Sequence, residues 1–367
     1  KLYIQKSKKF NHKIMKNILI TGASGWLGIN LIKTFIKGID LYPETHNLNE
    51  NSSINVFIPK SEHSKLFNLF GDKVNYFYGD IRNKEDCKNF LSNFKNGTIF
   101  HLVGIIHPKK ISDLYEINLE GTKNICDSAI DNSLEKIIVL SSNSPFGLNK
   151  DQNSPFDENS NYNPYFNYGK SKMLMEKYIK DIEQKKLINT VLIRAMWFYG
   201  PYQPDRQNLF FRMINKGKVP LVGLGNNLRS MSNTENLSYG LILAYLNEKA
   251  NGNCYWVTDK RPYSQLEIID TVRKVLSEEF SIESVNKNIK LPAVFSDLAY
   301  ISDLILQRMG FYNSKIHVLS ELSKNIFCNI NKTEIDLGYK PKIDLFIGLK
   351  RNFEWMKANN NLNFNSK

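Results

Sequence analysis

Cysteine is scarce in this sequence. Among its 367 residues there are four cysteines: Cys87, Cys126, Cys254 and Cys328. They lie far apart and form no Cys-x-x-Cys pair, so they carry no signature of a disulfide framework or of a metal site. This usage excludes a small disulfide-stapled secreted domain. We expect a protein of the reducing cytoplasm that holds no metal ion.

Long hydrophobic runs are also absent. The nearest candidate for a membrane span, Leu291 to Met309, is interrupted by charged side chains at Asp297, Asp303 and Arg308. A span needs about 18 or more apolar residues with few or no such charges. We therefore expect no membrane span, and we interpret this stretch as a helix packed in the core or at an interface.

Acidic residues are outnumbered by basic ones. The chain carries 49 lysines and arginines against 36 aspartates and glutamates, a formal net charge of +13. Such an excess can indicate a nucleic-acid partner, but these lysines are scattered rather than clustered on one stripe. We expect a solvated basic surface and no nucleic-acid partner. Residues 1–16 are densely basic without the apolar segment of a signal peptide, so residues 1–14 are expected to be an N-terminal extension.

Short apolar segments alternate with helical patterns through the first half of the chain. Five of these segments favour strands: Asn17 to Thr21, Ile54 to Ile58, Val74 to Tyr78, Thr98 to Val103 and Lys136 to Leu140. Between them apolar residues recur at helical spacing, as at Leu27, Leu31 and Phe35. The pattern predicts an α/β fold, a doubly wound parallel sheet of the Rossmann type that binds ligands at the carboxyl ends of its strands.

We expect this chain of 367 residues to form a cofactor domain and a smaller C-terminal substrate-binding lobe. The dinucleotide-binding domain is placed at residues 15–200 and also receives segments near 235–260. The substrate-binding lobe is placed at residues 201–234 and 261–357. Residues 358–367 are expected to be a tail.

Three glycines follow the first predicted strand at a spacing of three, in the stretch ITGASGWLG. Gly22 can make a tight turn, Gly25 lets a pyrophosphate approach the backbone, and Gly28 allows close packing of helix on sheet. The helix that follows offers free N–H groups and a partial positive charge at its N-terminus. The stretch therefore predicts a phosphate cradle for a dinucleotide.

A tyrosine and a lysine four residues apart open a later helix. Tyr168 and Lys172 share one helical face, and Ser142 follows the strand at Lys136 to Leu140. A free tyrosine has a pKa of about 10, and a nearby ammonium together with an oxidised nicotinamide brings it toward a working range. We expect Ser142 to hold a substrate oxygen while Tyr168 exchanges its proton.

Six motifs in register resemble the extended short-chain dehydrogenase/reductase family, the NAD-dependent epimerase/dehydratase group. They are TGASGWLG, FYGDI, HLVG, INLEGTKNI, LSSNSPFG and YGKSK, and the similarity continues through IRAMWFYGP, LRSMSNTENL and DLGYKPKID. It covers nearly everything from Met15 to Trp355.

This resemblance implies a role for particular residues. It places cofactor contacts at Gly22, Ser24, Gly25, Trp26, Leu27, Gly28, Asp80, Ile81, Val103 and Gly104, with adenine near Asp80 and Ile81. Ser142, Tyr168 and Lys172 would form the catalytic triad, with Lys172 also on the nicotinamide ribose and Asn118 supporting the helix behind the site. Arg229 would reach a substrate diphosphate, and its alternative is a surface ion pair. The helices at Asn118 to Ala129 and Tyr168 to Ile182 would pair across a homodimer.

Four residues depart from the family pattern. Lys60 follows the second strand where an acid would hold the 2′-hydroxyl of NAD, which favours NADP over NAD, although Glu62 is close. Asn143 and Ser144 stand where the dehydratases carry an Asp-Glu pair, which disfavours dehydration. Trp197 replaces the asparagine usual in 4-epimerases and offers an apolar wall to the substrate.

The sequence thus predicts an NAD(P)-dependent oxidoreductase that transfers a hydride at a secondary alcohol or ketone. The favoured substrate is a nucleotide sugar, bound with help from Ser142, Asn143, Trp197 and Arg229, in an epimerisation or a reduction. An enzyme resembling 3β-hydroxysteroid dehydrogenases is the alternative that Trp197 raises. A regulatory protein that binds the cofactor without turnover is a third possibility, which the intact Ser142, Tyr168 and Lys172 disfavour.

Overall fold

The computed structural model of the chain describes residues 17–48, 50, 52–359 and 362. The expected N-terminal extension, residues 1–14, lies outside the described residues, as does most of the expected tail at 358–367.

The described residues contain thirteen strands and thirteen α-helices. The strands are β1 Asn17–Thr21, β2 Ser53–Ile58, β3 Asn75–Tyr78, β4 Thr98–His101, β5 Lys136–Ser142, β6 Asn189–Ala195, β7 Trp197–Tyr199, β8 Pro220–Val222, β9 Leu228–Arg229, β10 Met231–Asn233, β11 Asn253–Trp256, β12 Tyr263–Ser264 and β13 Ile289–Leu291. The helices are α1 Trp26–Lys37, α2 His63–Phe70, α3 Lys84–Leu91, α4 Ile111–Tyr115, α5 Gly121–Asp131, α6 Phe166–Gln184, α7 Asp205–Asn215, α8 Thr234–Leu246, α9 Gln265–Phe280, α10 Val294–Arg308, α11 Ser314–Glu321, α12 Asn331–Leu337 and α13 Leu345–Ala358.

Seven strands form one parallel sheet in the order β11-β6-β5-β4-β1-β2-β3. The order reverses between β1 and β4, which places a ligand crevice at the carboxyl ends of these two strands. All five predicted strands belong to this sheet. The doubly wound α/β fold expected from the sequence is therefore confirmed.

Both faces of the sheet are buried, as its apolar strands require. In β1, Ile18 and Ile20 pack into one apolar cluster, which also takes side chains of α1 and α8. Leu19 between them packs into the opposite cluster with side chains of α3, α5 and α6. The period-two alternation of a strand therefore divides one apolar run between two cores.

A third apolar cluster lies in the second half of the chain. It contains side chains of α7, α9 and α13, with Leu221 of β8 and Met231 of β10. Short strand pairs connect this region, β13 with β8 and β12 with β9. The proposed boundaries between the two domains stay a prediction.

Helix α10 differs from the expectation for residues 291–309. Its apolar residues Leu298, Ile301 and Ile305 are exposed, whereas Asp303 and Gln307 are buried. Of the two alternatives for this helix, packing of its apolar residues in the core is excluded, and packing at an interface stays a prediction. In the part of the chain that the structure describes, no helix is long and apolar enough to cross a membrane.

Candidate active site

The glycine loop joins β1 to α1. Gly22 has φ +74°, and a Cβ there would lie 2.7 Å from the Val103 backbone nitrogen. A Cβ on Gly28 would lie 2.3 Å from the Gly22 carbonyl oxygen. Gly22 therefore makes the tight turn expected of it, and Gly28 lets α1 pack directly on the loop.

The N-terminus of α1 is open. Gly25 precedes it as the N-cap with no side-chain hydrogen bond to the first turn, and it is exposed. A Cβ on Gly25 would meet only the Gly22 carbonyl oxygen, at 3.1 Å. The uncapped N–H groups and the helix dipole are suited to an anion such as a phosphate.

The other loop residues have defined partners. The Trp26 indole N–H donates to the Pro201 carbonyl oxygen at 2.8 Å. Leu27 is buried in the core, and the Ser24 carbonyl accepts a hydrogen bond of 2.6 Å from Lys65. Trp26 and Leu27 therefore hold the loop by their side chains, and any cofactor contact falls to their backbone.

The ends of β2 and β3 carry charges of both signs. Lys60 is exposed, and Glu62 is partly exposed with its carboxylate 3.9 Å from the Lys65 ammonium. Asp80 forms a hydrogen bond with the Arg82 guanidinium, which holds the pKa of this carboxyl below its usual value. The structure thus places both a cation and an acid after β2, as the sequence indicated.

The loop after β4 is held by one buried asparagine. The Asn118 side-chain oxygen accepts from the Ile105 N–H at 2.9 Å, and its amide donates to the Ile105 carbonyl at 3.0 Å. The same amide donates to Ser171 on α6 at 3.1 Å. Asn118 lies in a single π-helical turn, Glu116–Glu120, a form that often marks functional sites. It therefore links the crevice loop to the helix that carries Tyr168 and Lys172.

The loop after β5 and the start of α6 approach each other closely. The Tyr165 N–H donates to the Ser144 carbonyl oxygen at 2.8 Å, and a Cβ on Gly169 would lie 2.3 Å from that oxygen. Ser142 and Tyr168 stand on these two facing elements, and the side chain of Ser142 lowers the pKa of Tyr168. The expected serine and tyrosine therefore lie on neighbouring elements, and their joint role stays a prediction.

The pKa values of the triad are shifted by burial. Burial raises the pKa of Tyr168 to about 12, although the hydrogen bond with Ser142 lowers it. Burial lowers the pKa of Lys172 to about 8, against the charge of Glu176. In the protein alone at neutral pH, Tyr168 is therefore protonated and Lys172 is mostly charged.

Lys172 points toward the cofactor side of the crevice. Its ammonium donates to the Leu140 carbonyl at 3.0 Å and lies 3.2 Å from where a Cβ on Gly104 would stand. Gly104 itself is exposed, and Val103 before it is partly exposed. The lysine is therefore in reach of a group that passes over Val103 and Gly104.

Two of the predicted substrate residues stack on each other. The Arg229 guanidinium carbon lies 4.3 Å from the centre of the Trp197 ring. Arg229 is 2% exposed, and its Nε and Nη1 atoms have no hydrogen-bond partner among the described residues. One guanidinium nitrogen donates to the Glu321 backbone carbonyl. The surface-ion-pair interpretation of Arg229 is therefore wrong.

Asn143 lies beside the triad serine. It is buried, and its side-chain oxygen lies 3.4 Å from the Ser142 hydroxyl. It offers an amide to the site where the dehydratases carry a carboxylate.

The sequence did not indicate that α11 and the turn before it border the site. The charge of Glu321 reaches the Tyr168 hydroxyl and raises its pKa further. Tyr312 bonds to His107, on the loop after β4, at 2.6 Å. These residues form no recognisable motif, so only the folded chain brings them near Tyr168. Within the described residues, no cluster of His, Cys, Asp or Glu could hold a metal ion.

Comparison with known proteins identifies the family. The uncharacterized protein y4nL of Sinorhizobium fredii is 38% identical over 344 residues, which cover 93% of this chain and 95% of that protein. UDP-glucose 4-epimerase of Vibrio cholerae is 24% identical over 95% of this chain and 98% of its own. Sterol-4-alpha-carboxylate 3-dehydrogenase ERG26 of Candida albicans is 24% identical over 93% and 98% of the two chains.

The same architecture occurs in a solved structure of UDP-glucuronic acid 4-epimerase from Bacillus cereus in complex with NAD. It superposes with a TM-score of 0.70 at 20% identity and covers 93% of this chain and 99% of that one. The profile of the NAD dependent epimerase/dehydratase family matches residues 18–255. The chain therefore belongs to the NAD dependent epimerase/dehydratase family.

Proposed function

We propose that this protein is an NAD-dependent enzyme that transfers a hydride at a secondary alcohol or ketone of a nucleotide sugar, in an epimerisation or a reduction. The proposal rests on the triad of Ser142, Tyr168 and Lys172 and on the buried arginine across the site. It includes action as a homodimer, as the resemblance implied.

The observation that carries the substrate class is the pair of guanidinium nitrogens of Arg229 that have no hydrogen-bond partner among the described residues. A buried guanidinium with two unpartnered nitrogens is costly unless an anion completes it. Its planar fork suits a phosphate, which can accept two parallel hydrogen bonds. Because Arg229 also covers one face of Trp197, that ring face is not an open apolar wall for a sterol. A diphosphate-linked sugar therefore fits this site better than an apolar alcohol.

The crevice fits a dinucleotide. The uncapped N-terminus of α1 suits a pyrophosphate, and exposed Gly25 leaves room that a side chain would fill. Lys172 beside Gly104 can donate to a ribose hydroxyl. When bound, the nicotinamide supplies the acceptor and donor of the hydride.

The chain's own groups then handle the proton. Ser142 donates a hydrogen bond to the substrate oxygen and orients it toward Tyr168. Tyr168 gives its proton to that oxygen when the carbonyl is reduced and takes it back when the alcohol is oxidised. Burial raises the pKa of Tyr168. The Lys172 ammonium, one helical turn away, would act against this by favouring the phenolate that Tyr168 becomes. Asn143 offers no carboxylate for the elimination of water, so dehydration is disfavoured.

We propose NAD as the cofactor, in place of the NADP that Lys60 favoured in the sequence. The family is NAD dependent, and the similar epimerase from Bacillus cereus was solved with NAD. Glu62 is partly exposed near Lys60 and can accept from a ribose hydroxyl. Glu62→Gln should weaken NAD more than NADP in titration calorimetry, whereas Lys60→Gln should change NAD binding little. A larger loss of NADP than NAD binding in Lys60→Gln would restore the first assignment.

The substrate class is tested by binding to the NAD-loaded protein. The melting temperature should rise on addition of UDP or UDP-sugars and should not rise on addition of sterols. A ligand that binds the native state stabilises it, and the gain grows with its affinity and concentration. Arg229→Met should abolish the UDP shift, and Arg229→Lys, the matched control, should keep part of it. A shift with sterols alone would favour the steroid-dehydrogenase alternative. Tight NAD binding without turnover of any alcohol or ketone would favour the regulatory alternative.

A further inference from the structure

The exposed face of α10 is unusually apolar. Leu298, Ile301 and Ile305 lie on one stripe of the helix and are 55%, 52% and 53% exposed. Val294 begins this stripe, and Met309, just past the helix, extends it. A helix on a globular protein normally turns such a stripe toward the core. Here the stripe faces outward, so it needs an explanation.

The orientation of α10 is fixed by its polar residues. The Asp303 carboxylate forms a hydrogen bond of 2.7 Å with His317 on α11, and its other oxygen accepts from Gln307 at 3.1 Å. The Gln307 side-chain oxygen in turn accepts from the Asn167 amide at 3.2 Å. A rotation that buried the apolar stripe would expose these partners and break the network. The outward stripe is therefore built into the fold.

The stripe lies in a segment of the chain that is rich in exposed apolar residues. Ten of the nineteen large hydrophobic residues that are exposed among the described residues lie between residues 285 and 318. They are Val285, Ile289, Val294, Phe295, Leu298, Ile301, Ile305, Met309, Phe311 and Val318. We call these ten residues the α10 surface. A concentration of exposed apolar residues is a feature that interaction sites share.

Exposed cations outnumber exposed carboxylates around the α10 surface: Lys287, Lys290, Arg308 and Lys315 are exposed, against Glu283 and Asp297. Between residues 286 and 320 the two carboxylates are both paired, Asp297 with Lys324 at 2.6 Å and Asp303 with His317. The exposed cations Lys290, Arg308 and Lys315 form no ion pair with a described carboxylate. An apolar face bordered by uncompensated cations is typical of helices that lie on anionic lipid surfaces.

We propose that the α10 surface docks on an anionic lipid bilayer. The apolar side chains would enter the boundary between headgroups and acyl chains, and the lysines and arginine would meet the lipid phosphates. A second copy of the chain fits less well, because an isologous pair sets the same patch against itself and brings these cations together. This inference goes beyond the proposed function and does not depend on it.

The α10 surface also lies at the edge of the active site. Phe311 of this surface adjoins Tyr312, which bonds to His107 on the loop after β4. Ile106, beside His107, is itself exposed. Docking through α10 would therefore bring the mouth of the crevice close to the lipid headgroups.

Vesicle flotation of the full chain tests the proposal. Phosphatidylcholine vesicles containing phosphatidylglycerol should carry the protein upward at low salt, and pure phosphatidylcholine vesicles should carry much less. High salt should reduce the floating fraction because it screens the cations. The double variant Ile301→Glu, Ile305→Glu should lose tenfold or more in partitioning. The matched control Ile335→Glu, at an 81% exposed position on α12, should float like the wild type.

A milder variant and a mass measurement separate loss of lipid binding from misfolding or a change of oligomeric state. Leu298→Ser with Ile301→Ser is the milder pair if the glutamate variant fails to fold, and it should also lose binding. Light scattering reports the mass of each variant without lipid. The proposal is overturned if the wild type does not float with anionic vesicles, or if folded α10 variants float as well as the wild type. It is also overturned if the wild type is an oligomer that Ile301→Glu dissociates. None of these experiments needs the cofactor or turnover, so a failure of the lipid proposal leaves the tests of the proposed activity unaffected.

Discussion

Glu176 and Arg194 form a buried bidentate ion pair between the triad helix and the sheet. The two nitrogen–oxygen distances are 2.8 and 3.1 Å, and both side chains are fully buried. Glu176 also accepts from Ser141 and Tyr162 at 2.6 and 2.8 Å. Glu176 lies one helical turn beyond Lys172, so this network fixes α6 against β5 and β6 close to the triad.

Removing the arginine should destabilise the fold strongly. Arg194→Met leaves the Glu176 carboxylate buried without its partner, which typically costs about 3–5 kcal/mol. Adding Glu176→Gln should recover part of this loss, because the uncompensated charge is then gone. Lys185→Met breaks an exposed pair with Asp181 and should cost less than about 1 kcal/mol. Urea unfolding measures all three, and equal losses for Arg194→Met and Lys185→Met would contradict the account.

The glycine loop should separate cofactor binding from folding. Gly25→Val fits its extended backbone and meets only one oxygen, so the protein should fold while the side chain blocks the cradle. Gly28→Ala would place its Cβ against the backbone of Gly22 and Ala23, so it should lower the melting temperature. Calorimetry should show no NAD binding by folded Gly25→Val. Wild-type affinity in that variant would rule out the cradle.

The buried carboxyl of Asp259 should make the free energy of unfolding depend on pH. Burial raises its pKa from 3.8 to about 7, although hydrogen bonds from Tyr199 and Asn236 lower it. The native state therefore holds a proton that the unfolded state releases, and stability falls as pH rises from about 4 to about 7. The shift corresponds to a loss on the order of 4 kcal/mol.

Asp259→Asn removes that titration. The difference in unfolding free energy between wild type and variant should change across this pH range and level off above it. Parallel stability curves from pH 4 to pH 8 would show that Asp259 does not titrate as described.

The proposed homodimer would use α5 and α6 rather than α10. Leu174→Glu on α6 places a charge on a partly exposed position and should dissociate such a dimer. Ile301→Glu on α10 should leave its mass unchanged. Light scattering at several concentrations compares the masses of the α6 and α10 variants. A wild-type mass of one chain at every concentration would reject the dimer.

The sequence predicted the parallel sheet and the glycine turn of the N-terminal half because their signals are local. The β1 strand, the three glycines and the apolar stripe of α1 are adjacent in sequence, and Tyr168 and Lys172 lie on consecutive turns of one helix. The sequence could not predict whether Arg229 is buried, because the residues that enclose it, such as Glu321, come from distant segments. The sequence could not decide between a core position and an interface position for the α10 stripe, for a related reason. Asp303 is buried only because His317 on the next helix completes it, and periodicity alone assigns apolar residues to the core.

In the mechanism we propose, Tyr168 moves the proton during hydride transfer. Tyr168→Phe removes only the phenolic oxygen, so folding and the Kd for NAD should be retained. Lys172→Met should weaken NAD binding as well as turnover, because the lysine serves both the ribose and the tyrosine.

The most direct measurement is kcat of wild type and Tyr168→Phe on the nucleotide sugar found by thermal shift, alongside their NAD affinities. Positioned proton transfer contributes about 10²–10⁴-fold, so kcat should fall by about a hundredfold or more with NAD affinity unchanged. A kcat near that of the wild type in Tyr168→Phe would contradict the account, because another group would then be moving the proton.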